Sequence, residues 1–335
     1  MAVLTAIRTI RLPSGEAIPV LGQGTWHMAE DPRRRVEEIA ALRLGIELGM
    51  TLIDTAEMYA DGSAEQLVGD AIDGRRDEVF LVSKVLPHHA TLRGTIEACN
   101  RSLMRLGVDE IDLYLLHWRG AVPLEETLEA FEKLMGAGKI RNWGVSNFDV
   151  ADMEELIELD GGDEVSSDQV LYNLHCRGIE LELLPWCERQ DIPIMAYSPI
   201  EQGRLLSHPV LRTVAARHQA TPSQVALAWV LRRNDCCAIP RAGKPAHVRE
   251  NRAALDIRLS ARDLASGWGK GTVQLGKVTR RQANLERRTI LPNMRRLARP
   301  RDRATVISPQ DPGERYLRRG GLMPRGHRAE HRVAQ

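Results

Sequence analysis

Four residues whose side chains can exchange or stabilise a proton stand just after three short apolar runs of the chain. They are, in chain order, Asp54, Tyr59, Lys84 and His117. Short apolar runs bounded by polar residues are typical of buried β-strands. Because α/β folds bind their ligands at the carboxyl ends of parallel strands, these four side chains are predicted to meet in one active site.

The combination of a tyrosine with a lysine indicates proton donation to a carbonyl oxygen. A phenol with its ordinary pKa of about 10 is too weak an acid at neutral pH unless a nearby cation stabilises the phenolate. Lys84 would supply that cation and lower the pKa of Tyr59, while Asp54 would keep Lys84 protonated and in place. His117 would orient the oxygen of the substrate. Taken singly, such side chains are more often a helix or turn cap, a solvated lysine or a core histidine than catalytic, so the prediction depends on their equivalent positions.

Strand-like and helix-like patterns alternate along the chain and define the elements that must position these residues. Strands are predicted near residues 19–22, 51–54, 79–83, 111–116, 140–145, 166–170, 192–197 and 236–240. Helices are predicted near residues 33–49, 64–73, 91–106, 124–137, 150–159, 179–190, 222–233 and 246–255. Eight such units in about 240 residues indicate an α/β fold, a parallel (β/α)₈ TIM barrel. Residues 8–20 alternate around Pro13-Ser14-Gly15 and are predicted to form an N-terminal β-hairpin ahead of it.

A doubly wound sheet is the alternative fold, and it would need a glycine-rich phosphate loop between a strand and a helix. The chain has no G-x-G-x-x-G motif there, because Gly22-Gln23-Gly24 is followed by Thr25-Trp26-His27. The barrel is therefore the predicted fold. A dinucleotide would have to bind it through polar groups at strand ends and late loops.

Seven segments of the chain resemble the aldo-keto reductase family in their order and spacing. They are Gly22-Gln23-Gly24-Thr25-Trp26, Ile53-Asp54-Thr55-Ala56-Glu57-Met58-Tyr59, Val82-Ser83-Lys84, Leu115-Leu116-His117-Trp118, Gly138-Lys139-Ile140-Arg141-Asn142-Trp143-Gly144-Val145-Ser146-Asn147-Phe148, Ala196-Tyr197-Ser198-Pro199 and Ala238-Ile239-Pro240. The resemblance covers residues from about 8 to 262. Within the family, the chain is most similar to bacterial methylglyoxal-reductase-type members. This resemblance implies an enzyme that reduces small aldehydes or ketones to alcohols with NADPH, or with NADH as the alternative cofactor.

The resemblance also implies where the cofactor binds. Ser146, Asn147 and Gln169 would hydrogen-bond the nicotinamide carboxamide, and the ring of Tyr197 would stack beneath the nicotinamide. The remaining cofactor-binding residues that it implies are Gly24, Thr25, Trp26, Asp54, Ser198, Pro199, Ile200, Gly203, Arg204, Ile239, Pro240, Arg241, Lys244, Glu250 and Asn251.

The far end of the cofactor is expected near the last strand. Arg241 is the first choice for contacting the extra phosphate of NADPH, with Lys244 second, because a basic residue between a strand and a helix start suits a phosphate. Glu250 and Asn251 would contact adenine, and Arg204 is a candidate pyrophosphate contact. The chain departs from the family at Ala242 and His247, where many relatives have a hydroxyl residue and an arginine, so NADH remains the alternative.

Six tryptophans occur in the chain, and two of them match family positions that line the substrate pocket. Trp26 and Trp118 would form an apolar wall around a small carbonyl, with Tyr59 and His117 as the polar pair at its base. Trp143 and Trp229 lie within strand and helix patterns, so they are expected in the core.

Composition limits the location and the metal chemistry of the protein. No apolar run approaches the roughly 20 residues needed to span a bilayer, and the N-terminal segment does not resemble a signal peptide, so a cytoplasmic protein is expected. The five cysteines are odd in number and lack metal-ligand spacing. Reduced, mostly buried thiols and no metal site are therefore predicted.

The last part of the chain differs from the rest in charge. Residues 266–335 carry 15 Arg and 2 Lys against 5 acidic residues, a net of +12, so residues 1–265 carry −11 of the chain's total of +1. The helix pattern breaks at Ser266-Gly267, and sustained apolar periodicity ends there. A barrel domain over 1–265 and a divergent, disordered or loosely packed tail over 266–335 are therefore predicted. A shifted reading frame is the favoured explanation, with an extension that binds an anionic partner and a helical subdomain as alternatives.

The predicted partner is a small carbonyl substrate, with no membrane and no nucleic acid expected for the barrel, and a monomer expected over an oligomer. Two other functions remain open. The chain could be an impaired or regulatory NAD(P)H-binding barrel, or its basic tail could bind an anionic polymer.

Overall fold

A sheet of eight parallel strands, β3 to β10 in chain order, forms the centre of the structure. The computed structural model describes residues 6–266 of the chain. Its strands are β1 Thr9–Arg11, β2 Ala17–Pro19, β3 Gln23–Gly24, β4 Leu52–Asp54, β5 Phe80–Val85, β6 Ile111–Leu116, β7 Ile140–Ser146, β8 Asp168–Leu171, β9 Ile194–Tyr197 and β10 Cys236–Ala238.

Pairing between the first and last strands closes this sheet into a ring. The backbone N–H of Ala238 donates to Val20 O at 2.8 Å, and the N–H of Gly22 donates to Ala238 O at 2.8 Å. A second parallel bridge joins Gly24 to Arg241 just beyond the strand ends. The predicted (β/α)₈ barrel is therefore confirmed, with its first strand displaced slightly toward the carboxyl side of residues 19–22.

Helices separate the successive barrel strands. They are α1 Arg35–Glu47, α2 Ser63–Ile72, α3 Leu92–Leu106, α4 Leu124–Gly136, α5 Val150–Ile157, α6 Leu183–Arg189, α7 Pro209–Arg217, α8 Pro222–Leu231, α9 Pro245–Ala253 and α10 Ala261–Leu264. The eight predicted helices are present with small shifts at their ends. Helix α7 was not predicted, because its nine residues bury only Leu211, Val214 and Ala215, too short a pattern to stand out from a loop.

Burial explains why the barrel strands consist of nearly continuous apolar residues. Every residue of β4, β5 and β6 is buried. Helices cover the outside of a parallel sheet and side chains fill its interior, so neither face of a strand meets water. Trp143 and Trp229 are buried at 3% and 2% exposure, as predicted for core residues. Lys84 lies in this interior as well, so its charge requires a partner.

The predicted N-terminal hairpin is present and is attached to the barrel. Strands β1 and β2 are antiparallel, with Ile10 opposite Ile18. Glu16 in the hairpin accepts from the guanidinium of Arg141 at 2.6 Å and from the amide of Asn142 at 2.9 Å, both at the start of β7. The hairpin therefore lies at the amino-terminal end of the barrel strands, away from the predicted site.

Two predictions concern other parts of the molecule. None of the helices in residues 6–266 combines the length and the apolar character that a membrane span requires. The predictions made for the tail fall on residues 267–335, which lie outside the described residues.

Candidate active site

The four residues predicted to be catalytic meet at the carboxyl ends of β4, β5 and β6. Lys84 Nζ lies 2.7 Å and 2.8 Å from the two carboxylate oxygens of Asp54 and 2.8 Å from the carbonyl oxygen of Thr55. The same nitrogen lies 3.3 Å from Tyr59 Oη. The Tyr59 ring meets the ring of His117 edge-on, with 5.8 Å between the centroids. The positions of these four residues in the sequence therefore correctly predicted that their side chains lie close together.

Strand register and alternation direct these side chains inward. Asp54 pairs with Val82 across β4 and β5, so Lys84 lies two residues further toward the carboxyl end. Adjacent residues of a strand face opposite sides, and Ser83 accordingly faces outward, where its hydroxyl donates to Glu65 at 2.6 Å. Tyr59 is brought back toward Lys84 by a turn whose backbone N–H bonds Ala56 O at 3.0 Å.

Burial dominates the titration of the cluster. It raises the pKa of Asp54 and lowers the pKa of Lys84, and the contact between the two charges opposes both shifts. Burial, and next the negative charge of Asp54, raise the pKa of Tyr59 well above its ordinary value. The net shift of this phenol's pKa is therefore opposite to the direction expected from Lys84 alone. The phenol is therefore the protonated form at neutral pH, as a tyrosine with its ordinary pKa of about 10 already is.

His117 is held in its neutral form. Burial, and next the positive charge of Lys84, lower the pKa of His117 well below its ordinary value. Its Nδ1 is buried and has no hydrogen-bond partner among residues 6–266. The ring is 5.0 Å from that of Trp118, while Trp26 packs on His27 at 4.1 Å between centroids. Both tryptophans are only partly buried, as expected for a pocket wall.

A second polar cluster lies at the ends of β7, β8 and β9 and contains the residues predicted to bind nicotinamide. The amide nitrogen of Asn147 donates to Ser146 Oγ at 3.0 Å and to the carbonyl of His117 at 3.2 Å. The Tyr197 hydroxyl donates to Asn147 Oδ1 at 2.8 Å. The amide nitrogen of Gln169 donates to Asp54 Oδ1 at 2.7 Å, which connects this cluster directly to the lysine pair.

Three residues predicted to contact the phosphate and adenine end of the cofactor lie after β10 and on α9. Arg241 donates to the carbonyl of His27 at 3.1 Å, and Lys244 is exposed at the start of α9. Glu250 Oε1 accepts from Thr221 Oγ1 at 2.6 Å, and also from Ser223, at the amino end of α8.

The loop after β9 carries the predicted pyrophosphate contact. Its backbone has positive φ at Ser198, Glu201, Gln202 and Gly203. Arg204 forms an ion pair with Glu201, whose other carboxylate oxygen accepts the amide of Asn173 at 2.6 Å. The guanidinium of Arg204 is 70% exposed, so the ion pair is open to solvent.

The remaining predicted cofactor residues border the same end of the barrel. The hydroxyl of Thr25 donates to Asp54 O at 3.0 Å, and Gly24 packs so closely that an added Cβ would lie 2.6 Å from Ile239 O. Buried or partly buried residues complete this border: Pro199, Ile200, Ile239, Pro240 and Asn251.

Sequence reasoning missed three residues of the site. Thr55 contributes only its backbone carbonyl, which no side-chain pattern signals. Glu38 and Glu201 are buried carboxylates that form ion pairs with arginines. Each lies in a helix or loop segment of the sequence where an acidic residue is usually exposed to solvent. Only their nearness to Arg241 and Arg204 reveals them.

Comparisons with known proteins agree with this geometry. The model of the aldo/keto reductase family matches residues 20–266. Methylglyoxal reductase YeaE of Escherichia coli is 53% identical over 263 residues, covering 77% of this chain and 93% of that protein. Glyoxal reductase of Bacillus subtilis is 36% identical over 259 residues, covering 76% and 90%. A crystal structure of an aldo/keto reductase from Klebsiella pneumoniae in complex with NADP and acetate has a TM-score of 0.76 at 50% identity, covering 78% of this chain and 94% of that one. The chain therefore belongs to the aldo/keto reductase family of oxidoreductases.

Proposed function

We propose that this oxidoreductase reduces small aldehydes and ketones, methylglyoxal among them, to alcohols at the expense of NADPH, with Tyr59 as the proton donor. The observation that carries the proposal is the contact of one buried cation, Lys84, with both Asp54 and Tyr59 beside a neutral His117. The similarity to a methylglyoxal reductase and a glyoxal reductase favours small dicarbonyl substrates.

The residues present fit a nicotinamide dinucleotide. A carboxamide needs both donors and acceptors, and Ser146, Asn147 and Gln169 supply a hydroxyl and two amides at adjacent strand ends. The partly buried ring of Tyr197 lies beside them and is suited to stacking. Arg241 and Lys244 are basic residues for the phosphate end. When bound, the cofactor supplies the hydride that reduces the carbonyl carbon.

Each catalytic side chain would have a separate task. Tyr59 donates its phenolic proton to the carbonyl oxygen, which becomes strongly basic as the carbon is reduced. The raised pKa of the phenol keeps this proton in place until such a base develops. Lys84, held by Asp54, stabilises the phenolate that remains after proton transfer.

His117 and the two tryptophans would select and orient the substrate. A neutral imidazole can donate one hydrogen bond to a carbonyl oxygen without placing a second buried cation beside Lys84. Trp26 and Trp118 provide apolar surface around it. An apolar wall with a polar base at one end suits a small carbonyl compound.

The test is aldehyde-dependent oxidation of NADPH, followed by absorbance, with the full chain and methylglyoxal and a few small aliphatic and aromatic aldehydes. Turnover with at least one of them, lost in Tyr59→Phe, is the expected result. A folded protein that binds NADPH but oxidises none would overturn the proposal and favour a cofactor-binding barrel without reductase activity.

A further inference from the structure

Two arginines that are distant in sequence converge on one buried carboxylate near the start of α1. Oε1 of Glu38 lies 3.6 Å from Nη2 of Arg34 and 3.6 Å from Nη2 of Arg241. The second oxygen of Glu38 accepts the backbone N–H of Ala29 at 2.9 Å. The side chain of Glu38 is only 2% exposed. One negative charge therefore faces two positive charges, and the cluster keeps a net charge of +1.

Gly243, in the loop that follows β10, packs closely against this cluster. A Cβ added at Gly243 would lie 3.0 Å from Arg34 Nη2, 3.4 Å from Arg241 Nη2 and 3.4 Å from Glu38 Oε1. The two guanidinium side chains are 39% and 36% exposed, so a ligand in solution can reach them. Burial, and next the charge of Arg34, lower the pKa of Arg241, while the charges of Glu38 and Glu30 oppose the shift.

We propose that Arg34 is a specificity-determining residue that binds, together with Arg241, the phosphate monoester on the adenine ribose of NADPH. The inference rests on the proposed function. It adds Arg34, which directly precedes α1, to the phosphate contacts already expected from Arg241 and Lys244 after β10. A phosphate dianion accepts charge-assisted hydrogen bonds from two guanidinium groups, and it would reverse the charge excess of the cluster. The loop itself provides few phosphate ligands, since Ala242 has no hydroxyl and Gly243 has no side chain.

Glu38 has a positioning role in this arrangement. Because its carboxylate is fixed by Ala29 and nearly inaccessible to solvent, it holds both guanidinium groups at one point before a ligand arrives. Preorganised side chains lose less conformational freedom on binding, which favours affinity. NADH has a hydroxyl in place of the phosphate and would leave the excess charge uncompensated.

Binding of nucleotides to the full chain tests the inference. Isothermal titration would measure 2′,5′-ADP against 5′-AMP, and NADPH against NADH, for wild type and Arg34→Gln. The variant is expected to weaken 2′,5′-ADP and NADPH by roughly tenfold, the size of one charge-assisted contact at a half-exposed site. Affinities for 5′-AMP and NADH should stay within about twofold of wild type.

Arg33→Gln is the matched control. Arg33 precedes Arg34, and its 90% exposed side chain pairs with Asp31 at 2.9 Å, away from Glu38. The variant makes the same change in net charge and should leave all four affinities unaltered. Equal losses in Arg33→Gln and Arg34→Gln would overturn the inference, since a general charge effect would explain both.

The inference and the proposed function fail differently. Tight, Arg34-dependent binding of 2′,5′-ADP without aldehyde reduction would keep the phosphate site and reject the reductase. Aldehyde reduction by wild type, together with NADPH and 2′,5′-ADP affinities that Arg34→Gln does not change, would support the reductase proposal and reject the phosphate-binding role of Arg34. Wild-type protein that binds neither NADPH nor 2′,5′-ADP would reject both.

Discussion

The side-chain amide of Gln169 donates a hydrogen bond to Asp54 Oδ1, 115 residues away in the sequence, at 2.7 Å. Gln169 is one of the residues proposed to bind the nicotinamide carboxamide, and Asp54 holds Lys84. One amide therefore connects the proposed cofactor subsite to the buried ion pair. A substitution at Gln169 should therefore change the electrostatic environment of Asp54 as well as the affinity for the nucleotide.

Gln169→Glu should be less stable than Gln169→Leu at neutral pH. The new carboxylate would lie against Asp54, and like charges in a buried site raise a carboxyl pKa by roughly one to three units, equivalent to roughly 1–4 kcal/mol. Urea unfolding of both variants at pH 7 measures the difference. Adding Asp54→Asn should remove most of it, and a difference that survives this change would refute the electrostatic explanation.

Tyr59→Phe should lower kcat by a factor on the order of 10² or more while the affinity for NADPH changes little. The ring keeps its edge-on contact with His117, so only the hydroxyl near Lys84 Nζ is lost. Steady-state kinetics with methylglyoxal and direct titration with NADPH separate the two effects. Turnover near that of wild type would remove Tyr59 as the proton donor.

Lys84→Met should destabilise the fold strongly. Lys84 is fully buried and Asp54 nearly so, and removing one partner of a buried pair leaves an uncompensated charge, at a cost of roughly 3–5 kcal/mol. The double variant Asp54→Asn/Lys84→Met should recover part of that loss. Arg93→Ala, which removes the exposed pair of Arg93 with Glu97, is the control and should cost about 0–1 kcal/mol. Urea midpoints would decide, and similar losses for Lys84→Met and Arg93→Ala would contradict the burial argument.

His117 should make stability depend on pH on the acidic side of neutrality. Its pKa is depressed in the folded state, so the unfolded chain binds the proton first as the pH falls below about 6.5. As the pH falls from about 6.5 toward the lowered pKa of His117, the free energy of unfolding therefore decreases. His117→Gln should show a smaller loss than wild type between pH 7 and pH 5 in parallel urea titrations. Identical slopes would mean that His117 is protonated normally in the fold.

Only one of the five thiols should react rapidly with a disulfide reagent in the native state. Burial raises the pKa of Cys99 to about 12 and that of Cys236 to about 12, and it raises those of Cys187 and Cys237 as well. Cys176 is the cysteine that is only partly buried. Native protein should therefore give one fast equivalent, denatured protein five, and Cys176→Ser none before denaturation. Two or more fast equivalents in native protein would contradict this burial pattern.

The cluster of Asp54, Tyr59, Lys84 and His117 could be predicted because strand ends are a local property of sequence. Asp54, Lys84 and His117 each stand at the carboxyl end of a mostly apolar run, and parallel pairing brings such ends together in any barrel. The pKa of Tyr59 could not be predicted in the same way. Its direction is set by burial and next by the charge of Asp54, and both depend on the packed geometry.

Contacts between distant elements were equally beyond sequence reasoning. Arg241 was expected to face a phosphate, yet neither Glu38 nor Arg34 has a signature that separates it from the other charges around α1. Arg204 pairs with Glu201, three residues before it, in a kinked turn whose backbone no apolar pattern describes. The contact of Arg241 with Glu38 joins positions more than 200 residues apart, so spacing in the sequence contains no distance information about it.

Closure of the ring through Val20 and Ala238 has a consequence for how the chain is made. These partners are more than 200 residues apart, and at roughly 5–20 residues per second a ribosome needs roughly 10–45 seconds to synthesise the chain between them. Until then the growing sheet has two unpaired edges, which can associate with other nascent chains. A sheet that forms during synthesis therefore stays open until its last strand has left the ribosome.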